Sequence, residues 1–387
     1  PASQSATQST TTPVPQKDFW KQVSVPKFEQ WLRSSGIRLE DFGVALALDP
    51  TGARGLVATR PFREGVTVLS VPMSNFALSA ASLLEKSATI QRNLSAIPTF
   101  DDVRREMTVF SVRDPILLQQ MYLAVLLAAE RYEAAVVPSS SAAKQYGPYF
   151  DVLPHPAVND AVVMGLHKDV LDPMQLMEWD DHQRVFLTVC RHLHEVWVAR
   201  SKSSSAAAYS GDRSSSSRAS GGGGAAPSAV VPPVEVLYWA FRTVISRMHL
   251  LPDRGLAPPA SHTTPTNRTL TLNYESYAAL KAISENESFF QRSVSKFKGL
   301  FGTREDRDVG LGASDFRLVP TLVPLIDFCG HVSSSNVSVE VQPRPEVGSC
   351  VELQAVSPIA KGETIGMCLN RSQSIAFTLY RFGFLPV

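Results

Sequence analysis

The chain has 387 residues, 44% of them hydrophobic and 19% charged, with 37 Lys and Arg against 36 Asp and Glu. That length and apolar content provide for a sizeable core and two or three folded units, and exclude a wholly disordered chain. A formal net charge of +1 excludes a strong general attraction to nucleic acid and leaves only local basic patches.

Residues 1–17, "PASQSATQSTTTPVPQK", are polar and proline-containing, and read as a flexible tail. The chain opens on Pro1, so processing of a longer chain is expected and any leader is out of view. A helix is expected around "FEQWLRSSG", closed by Gly36. Strand-like runs follow: "GVALALD", "GLVATR" and "VTVLSVP". Turns separate them at Asp49-Pro50-Thr51-Gly52 and Arg63-Glu64-Gly65.

From about residue 80 to 200 the pattern is helical. Asp114-Pro115 makes a helix start, a capping carboxylate followed by proline in the first turn. The run "PILLQQMYLAVLLAAERY" is broken by Gln119 and Gln120. It falls short of the ~20 apolar residues of a membrane span and reads as a core helix. "DDHQRVFLTVCRHLHEVWVAR" has helical apolar spacing, and Ser201 to Pro233 is a Ser/Gly/Ala-rich linker. Helix resumes at "VEVLYWAFRTVISRMHLL" and again near "YESYAALKAISENESFFQRSVSKFKGLF". Strand-like runs then return in "RLVPTLVPLIDF", "NVSVEVQ", "SCVELQAVS" and "ETIGMCL". The expected class is α+β, with both β portions in one domain, because neither alone makes a stable covered sheet. The expected division is a tail (1–17), a first β part (18–80), a helical insertion (81–245, with linker 201–233) and a second β part (246–387).

The four cysteines, Cys190, Cys329, Cys350 and Cys368, form no C-x-x-C pair and no zinc spacing. Free buried thiols in a reducing, intracellular compartment are expected, and no metal. His192 and His194 stand two apart on a helix and point apart, so with His182 they read as boundary histidines, not ligands. Segment 292–307, "RSVSKFKGLFGTREDR", interleaves basic and aromatic residues. It would suit an RNA contact, although a solvated helix end is the simpler reading.

Six pieces in order carry a further signal: "GARGLVATRPFREGVTVLSVP" (52–72), "GPYFDVLP" (147–154), "YWAFRTVISR" (238–247), "LVPLIDFCGHVSSSN" (322–336), "AVSPIAKGETIGMCLNRSQS" (355–374) and "YRFGFLP" (380–386). Over about residues 28–384 the series resembles the SET-domain methyltransferases of the Rubisco large-subunit lysine methyltransferase type. The resemblance implies a β fold split by a helical insertion, S-adenosylmethionine as methyl donor and a protein lysine as acceptor. It implies donor contacts at Arg54, Gly55, Leu56, Gly330 and His331, and a substrate cleft at Ser246, Arg247 and Asp327.

The chain departs from the family's pattern at several of these positions. The family's G-x-G reads Ala53-Arg54-Gly55, and its Asn-His-Ser reads Gly330-His331-Val332. A missing buried amide costs of order 1–3 kcal/mol, roughly ten- to a hundred-fold in affinity. The catalytic Tyr after "KGETI" becomes Leu369, or Asn370 with a one-residue slip. The closing Tyr-Gly-Phe reads Phe382-Gly383-Phe384, and Tyr380 lies two residues away on a different helical face. Methyl transfer needs alignment and a neutral amine, and apolar replacements keep the volume while removing that chemistry. The family's C-terminal helical domain, which holds the protein substrate, is not expected within this chain.

The expectation is therefore a non-catalytic SET fold with no catalytic residue and no cofactor, a structural or interaction subunit of a protein assembly. An organellar ribonucleoprotein such as a mitochondrial ribosome would suit it, and no membrane is expected. The rivals are an active protein-lysine methyltransferase and a regulator that binds S-adenosylmethionine if the pocket survives.

Overall fold

The chain begins its described course in a short amphipathic helix. The computed structural model describes residues 25–48, 54–153, 172–210, 231–252, 318–344, 346, 348–368 and 380. The expected tail (1–17), the helix near 274–301 and the basic segment 292–307 lie outside them. Helix α1 (Val25–Ser34) buries Phe28 and Leu32, one turn apart on one face. It ends at Gly36, whose φ of +90° suits glycine, and the Ile37 N–H returns to the Leu32 carbonyl. A single turn, α2 (Leu39–Phe42), leads into β1 (Val44–Leu48) and β2 (Arg54–Ala58), which pair antiparallel.

β3 (Thr67–Pro72), α3 (Met73–Phe76) and β4 (Leu78–Ser79) follow, then helices α4 (Ala80–Lys86), α5 (Ala88–Asn93) and α6 (Phe100–Val109). Reciprocal capping boxes start α4, with Ser79 and Ser82, and α6, with Thr99 and Asp102. The run with the interrupting glutamines is α7 (Pro115–Val136), and Asp114 caps it by accepting the N–H groups of Ile116 and Leu117. It is buried on nearly every side, because α4, α5, α6, later helices and the sheet all pack on it. Among the described residues no helix is long and apolar enough to cross a membrane.

Short helices α8 (Ser141–Gln145) and α9 (Gly147–Val152) precede α10 (Pro173–Ser210). Phe186, Val189, Cys190, Leu193 and Trp197 of α10 are buried at helical spacing. α10 runs to Ser210, so residues 201–210 are helical where composition pointed to linker; residues 211–230 lie outside the described set. Ser and Ala continue a helix that is already nucleated at little cost, so composition alone misjudged its end. A second correction concerns α11 (Val234–Arg247). The helical run expected through Leu251 stops at Arg247, and His249–Pro252 forms strand β5. Pairing with the main chain of β6 (Leu318–Leu322) outweighs helical periodicity there.

The remaining strands are β7 (Gly330–His331), β8 (Val337–Arg344), β9 (Gly348–Ala355) and β10 (Thr364–Met367). Among the described residues they complete three sheets, ordered β1-β2-β10-β7, β3-β9-β8 and β4-β6-β5. Every sheet joins strands from both ends of the sequence, and one hydrophobic core runs through the sheets and the helices. The architecture is thus mixed helix and strand, with the longest run of helices, Ala80 to Arg247, between the two groups of strands.

Candidate functional site

The proposed donor strand, β2, is central in its sheet. Leu56 is fully buried against the core, and it pairs with Leu46 on one side and Ile365 on the other. Gly55 is different: a Cβ built there would meet no heavy atom within 4 Å. The backbone of Arg54 forms the first residue of β2, and its side chain lies outside what is described, as does that of His331.

Gly330 and His331 form β7, which pairs parallel with β10 at Gly366 and Met367. The approach is close. A Cβ on Gly366 would stand 2.7 Å from the Gly330 carbonyl oxygen and 2.8 Å from Val332 Cγ1, and a Cβ on Gly330 would stand 2.9 Å from Thr364 Cγ2. Glycine at both positions is therefore a packing requirement of this crossing. Asn336 closes this crossing. Its Oδ1 accepts the Gly366 N–H at 2.9 Å, its Nδ2 donates to the Thr364 carbonyl at 2.8 Å, and its own N–H donates to the Gly366 carbonyl at 3.2 Å. Only 5% of Asn336 is exposed, and its amide is taken up by this backbone and by the Glu363 carboxylate, to which Nδ2 also donates at 3.3 Å.

Two of the proposed cleft residues, Arg247 and Asp327, meet at one junction beside Tyr149. Leu325, a fully buried residue at φ +78° and ψ −48°, turns the chain from β6 into the short 3₁₀ segment Ile326–Phe328. This turn aims Asp327 at α9, where the Tyr149 hydroxyl donates to Asp327 Oδ2 at 2.6 Å. From the end of α11, Arg247 Nη1 donates to the Asp327 carbonyl at 2.9 Å, and its guanidinium lies 5.8 Å from the Phe328 ring centre. Phe28 of α1 stacks on Phe328 at 5.5 Å and tilts against Tyr149 at 6.4 Å. Burial pushes the Asp327 carboxyl up to about 6, against the pull of the Arg247 charge and the Tyr149 hydroxyl. Burial, followed by the Asp327 charge, pushes the Tyr149 phenol well above its usual value. Ser246 does not join this group through its hydroxyl, which donates back to the Arg242 and Thr243 carbonyls of its own helix.

Of the two tyrosine positions that define the expected chemistry, Leu369 and Phe382 lie outside the described residues. Tyr380 is fully buried against the helices. Its ring lies 4.5 Å from the Arg242 guanidinium, 5.8 Å from Phe186 and 5.7 Å from His182. That is an anchoring position in the helical part.

The other histidines each make a local contact. His182 Nε2 lies 3.4 Å from Glu178, His192 Nδ1 lies 3.5 Å from Glu106, and His194 Nδ1 lies 3.0 Å from the Pro232 carbonyl. Among the described residues no group of His, Cys, Asp and Glu is arranged to hold a metal ion. The four cysteines are free, and burial pushes the Cys190 and Cys329 thiols up. Sequence reasoning missed Tyr149 and Asn336 as site-building residues. Tyr149 carries no sequence signal beyond its place in "GPYFDVLP". Asn336, a lone amide after a serine run at a strand start, was the better clue.

No protein-family model matches the chain, and no curated protein matches it. Solved structures do resemble it. The SET domain of LSMT bound to lysine and AdoHcy aligns with a TM-score of 0.47 at 12% identity, over 93% of this chain and 57% of that one. Rubisco LSMT bound to sinefungin and monomethyllysine gives 0.45 at 14% over 94% and 57%, and Rubisco LSMT bound to AdoMet gives 0.41 at 13% over 94% and 57%. The chain therefore spans a little over half the length of the structures it matches. At such scores and identities the likeness is one of general layout and carries no function.

Proposed function

We propose that this chain is a SET-type fold serving as a non-catalytic scaffold, an interaction or structural subunit of a larger protein assembly. The observation that carries the reading is that most of the cleft residues' polar atoms bond the protein itself, with Asp327 Oδ1 buried and without a hydrogen-bond partner among the described residues. Asp327 holds Tyr149, Arg247 holds the Asp327 carbonyl, and the Ser246 hydroxyl is returned to its own helix. Gly330 offers no side chain, and its space is closed by Thr364. Tyr380 is packed between Arg242 and Phe186, so a move into a reaction centre would break a fully buried contact.

One observation favours a second reading. An added Cβ at Gly55 would meet no heavy atom within 4 Å, so that position on β2 does not itself obstruct S-adenosylmethionine in a protein that binds it without using it. Titration calorimetry with S-adenosylmethionine, checked by thermal shift, separates the two. Ligand at 100 times its dissociation constant adds about 2.7 kcal/mol of stability, a plain shift in melting temperature. Neither heat nor shift at millimolar donor is the result expected for the scaffold. Micromolar binding would overturn it, and a methyl-transfer assay on lysine-containing proteins would then divide sensor from enzyme.

A further inference from the structure

Glu130 and Glu133 stand one turn apart on α7, and both face α5. They are 1% and 2% exposed. Arg92 of α5 donates to Glu133 Oε1 at 3.0 Å and is half-exposed. Glu130 is met instead by a neutral group: the Ser87 hydroxyl donates to Glu130 Oε1. Ser87 is also the N-cap of α5, its Oγ accepting the Ile90 N–H at 2.9 Å. The same hydroxyl thus starts α5 and ties it to α7.

The charged and titratable groups that act on Glu130 are few. Arg92 comes from α5, Glu133 from its own helix, and Tyr146 from the junction of α8 and α9. The Ser87 hydrogen bond favours a negative charge on Glu130, but the second carboxylate opposes it and Arg92 is already bonded to Glu133. A buried carboxylate so placed is unfavourable, and the neutral acid is favoured. Burial is the largest influence, and it pushes the Glu130 carboxyl up to about 7.

We propose that Glu130 is a proton-dependent latch in the helical part of the fold: protonated, it lies buried with α5 closed over it at Ser87, and once ionised it is a buried charge beside Glu133 that is relieved when α5 lifts and water reaches it. The sign follows from linkage. A group that holds its proton more tightly when folded makes stability fall as pH rises from the unfolded to the folded value, with no further loss above it. This inference is independent of whether the chain binds a methyl donor.

The test compares the wild-type chain with Glu130→Gln, which keeps shape and hydrogen-bonding capacity without the charge. Urea unfolding is followed from pH 5 to pH 8.5. The expected result is that the folding equilibrium constant of the wild type falls relative to the variant by on the order of 10- to 100-fold over that range. The fall should flatten above about pH 7.5. Parallel curves for the two proteins, or a variant less stable than wild type at every pH, would overturn the latch. Amide exchange of the native wild type decides the case if Glu130→Gln does not fold. Protection factors of the Ile90–Asn93 amides should drop with rising pH while those of α6 hold. Protection that changes together in α5 and α6 would equally refute it.

Discussion

The Tyr149–Asp327 pair allows a prediction whose size and pH dependence both follow from the geometry. The contact is a 2.6 Å hydrogen bond between a fully buried phenol and a carboxylate that is 9% exposed, and it links a helix of the middle segment to the turn after β6. Lifting a carboxyl from 3.8 to about 6 means that the folded state carries a charge penalty of about 3 kcal/mol at pH 8 and roughly half of that at pH 5. Asp327→Asn keeps an acceptor for Tyr149 and removes the charge. It should therefore unfold at higher urea than wild type at pH 8, with the gain shrinking toward pH 5. Tyr149→Phe does the reverse. It strips the donor from a carboxylate that is ionised at pH 8, at a cost of roughly 1.5–3 kcal/mol, and from a mostly neutral acid at pH 5, at a cost nearer 1 kcal/mol. Urea midpoints of the three proteins at pH 5 and pH 8 are the assay. A Tyr149→Phe penalty of the same size at both pH values would refute the reasoning, as would an Asp327→Asn variant less stable than wild type at pH 8. Either result would mean that the carboxylate is better compensated than its surroundings indicate.

Other outcomes follow from the glycines and from Asn336. Gly366→Ala forces a Cβ to within 2.7 Å of a carbonyl oxygen and should destabilise the chain by about 1–3 kcal/mol, whereas Gly55→Ala, with open space around it, should fall within about 0.5 kcal/mol of wild type by urea unfolding. Gly330→Asn should not create donor binding in calorimetry and should be destabilising, with Thr364→Ala on the same chain recovering part of the loss, because Thr364 Cγ2 is the atom in the way. Asn336→Ala leaves the Gly366 N–H and the Thr364 carbonyl without their side-chain partner. A loss of about 3 kcal/mol is expected, with faster amide exchange at Gly366 as its local signature.

Much of the fold was legible in the sequence because its signals are local. The strands β1, β3 and β10 lie within runs of strand-like residues and β2, β8 and β9 overrun theirs by one or two residues, and Asp114-Pro115 and Gly36 mark a helix start and end by chemistry that operates within one turn. What failed was decided at longer range. His249–Pro252 has helical spacing, but β6 offers it a main-chain partner from some 70 residues further on. The end of α10 was missed for a different reason: serines and alanines are weak signals in either direction, and a helix already anchored by Trp197 continues through them.

The site divides along the same line. Residue identities at positions 327, 330 and 247 could be read directly, and so could the absence of an amide at Gly330. What each residue does could not, because that depends on partners remote in sequence: Tyr149 for Asp327, Thr364 for Gly330, and the Asp327 carbonyl for Arg247. Gly330 is the instructive case. Taken alone, a glycine where a hydrogen-bonding amide is expected reads as decay of a binding site. Set beside Gly366, it is one half of a close crossing of two parallel strands that Asn336 then locks by three hydrogen bonds. An Asn placed at 330 would have to displace Thr364 first, so the crossing is built for a residue without a side chain there. The double change with Thr364 therefore discriminates more sharply between a packing role and a ligand role for position 330 than Gly330→Asn alone.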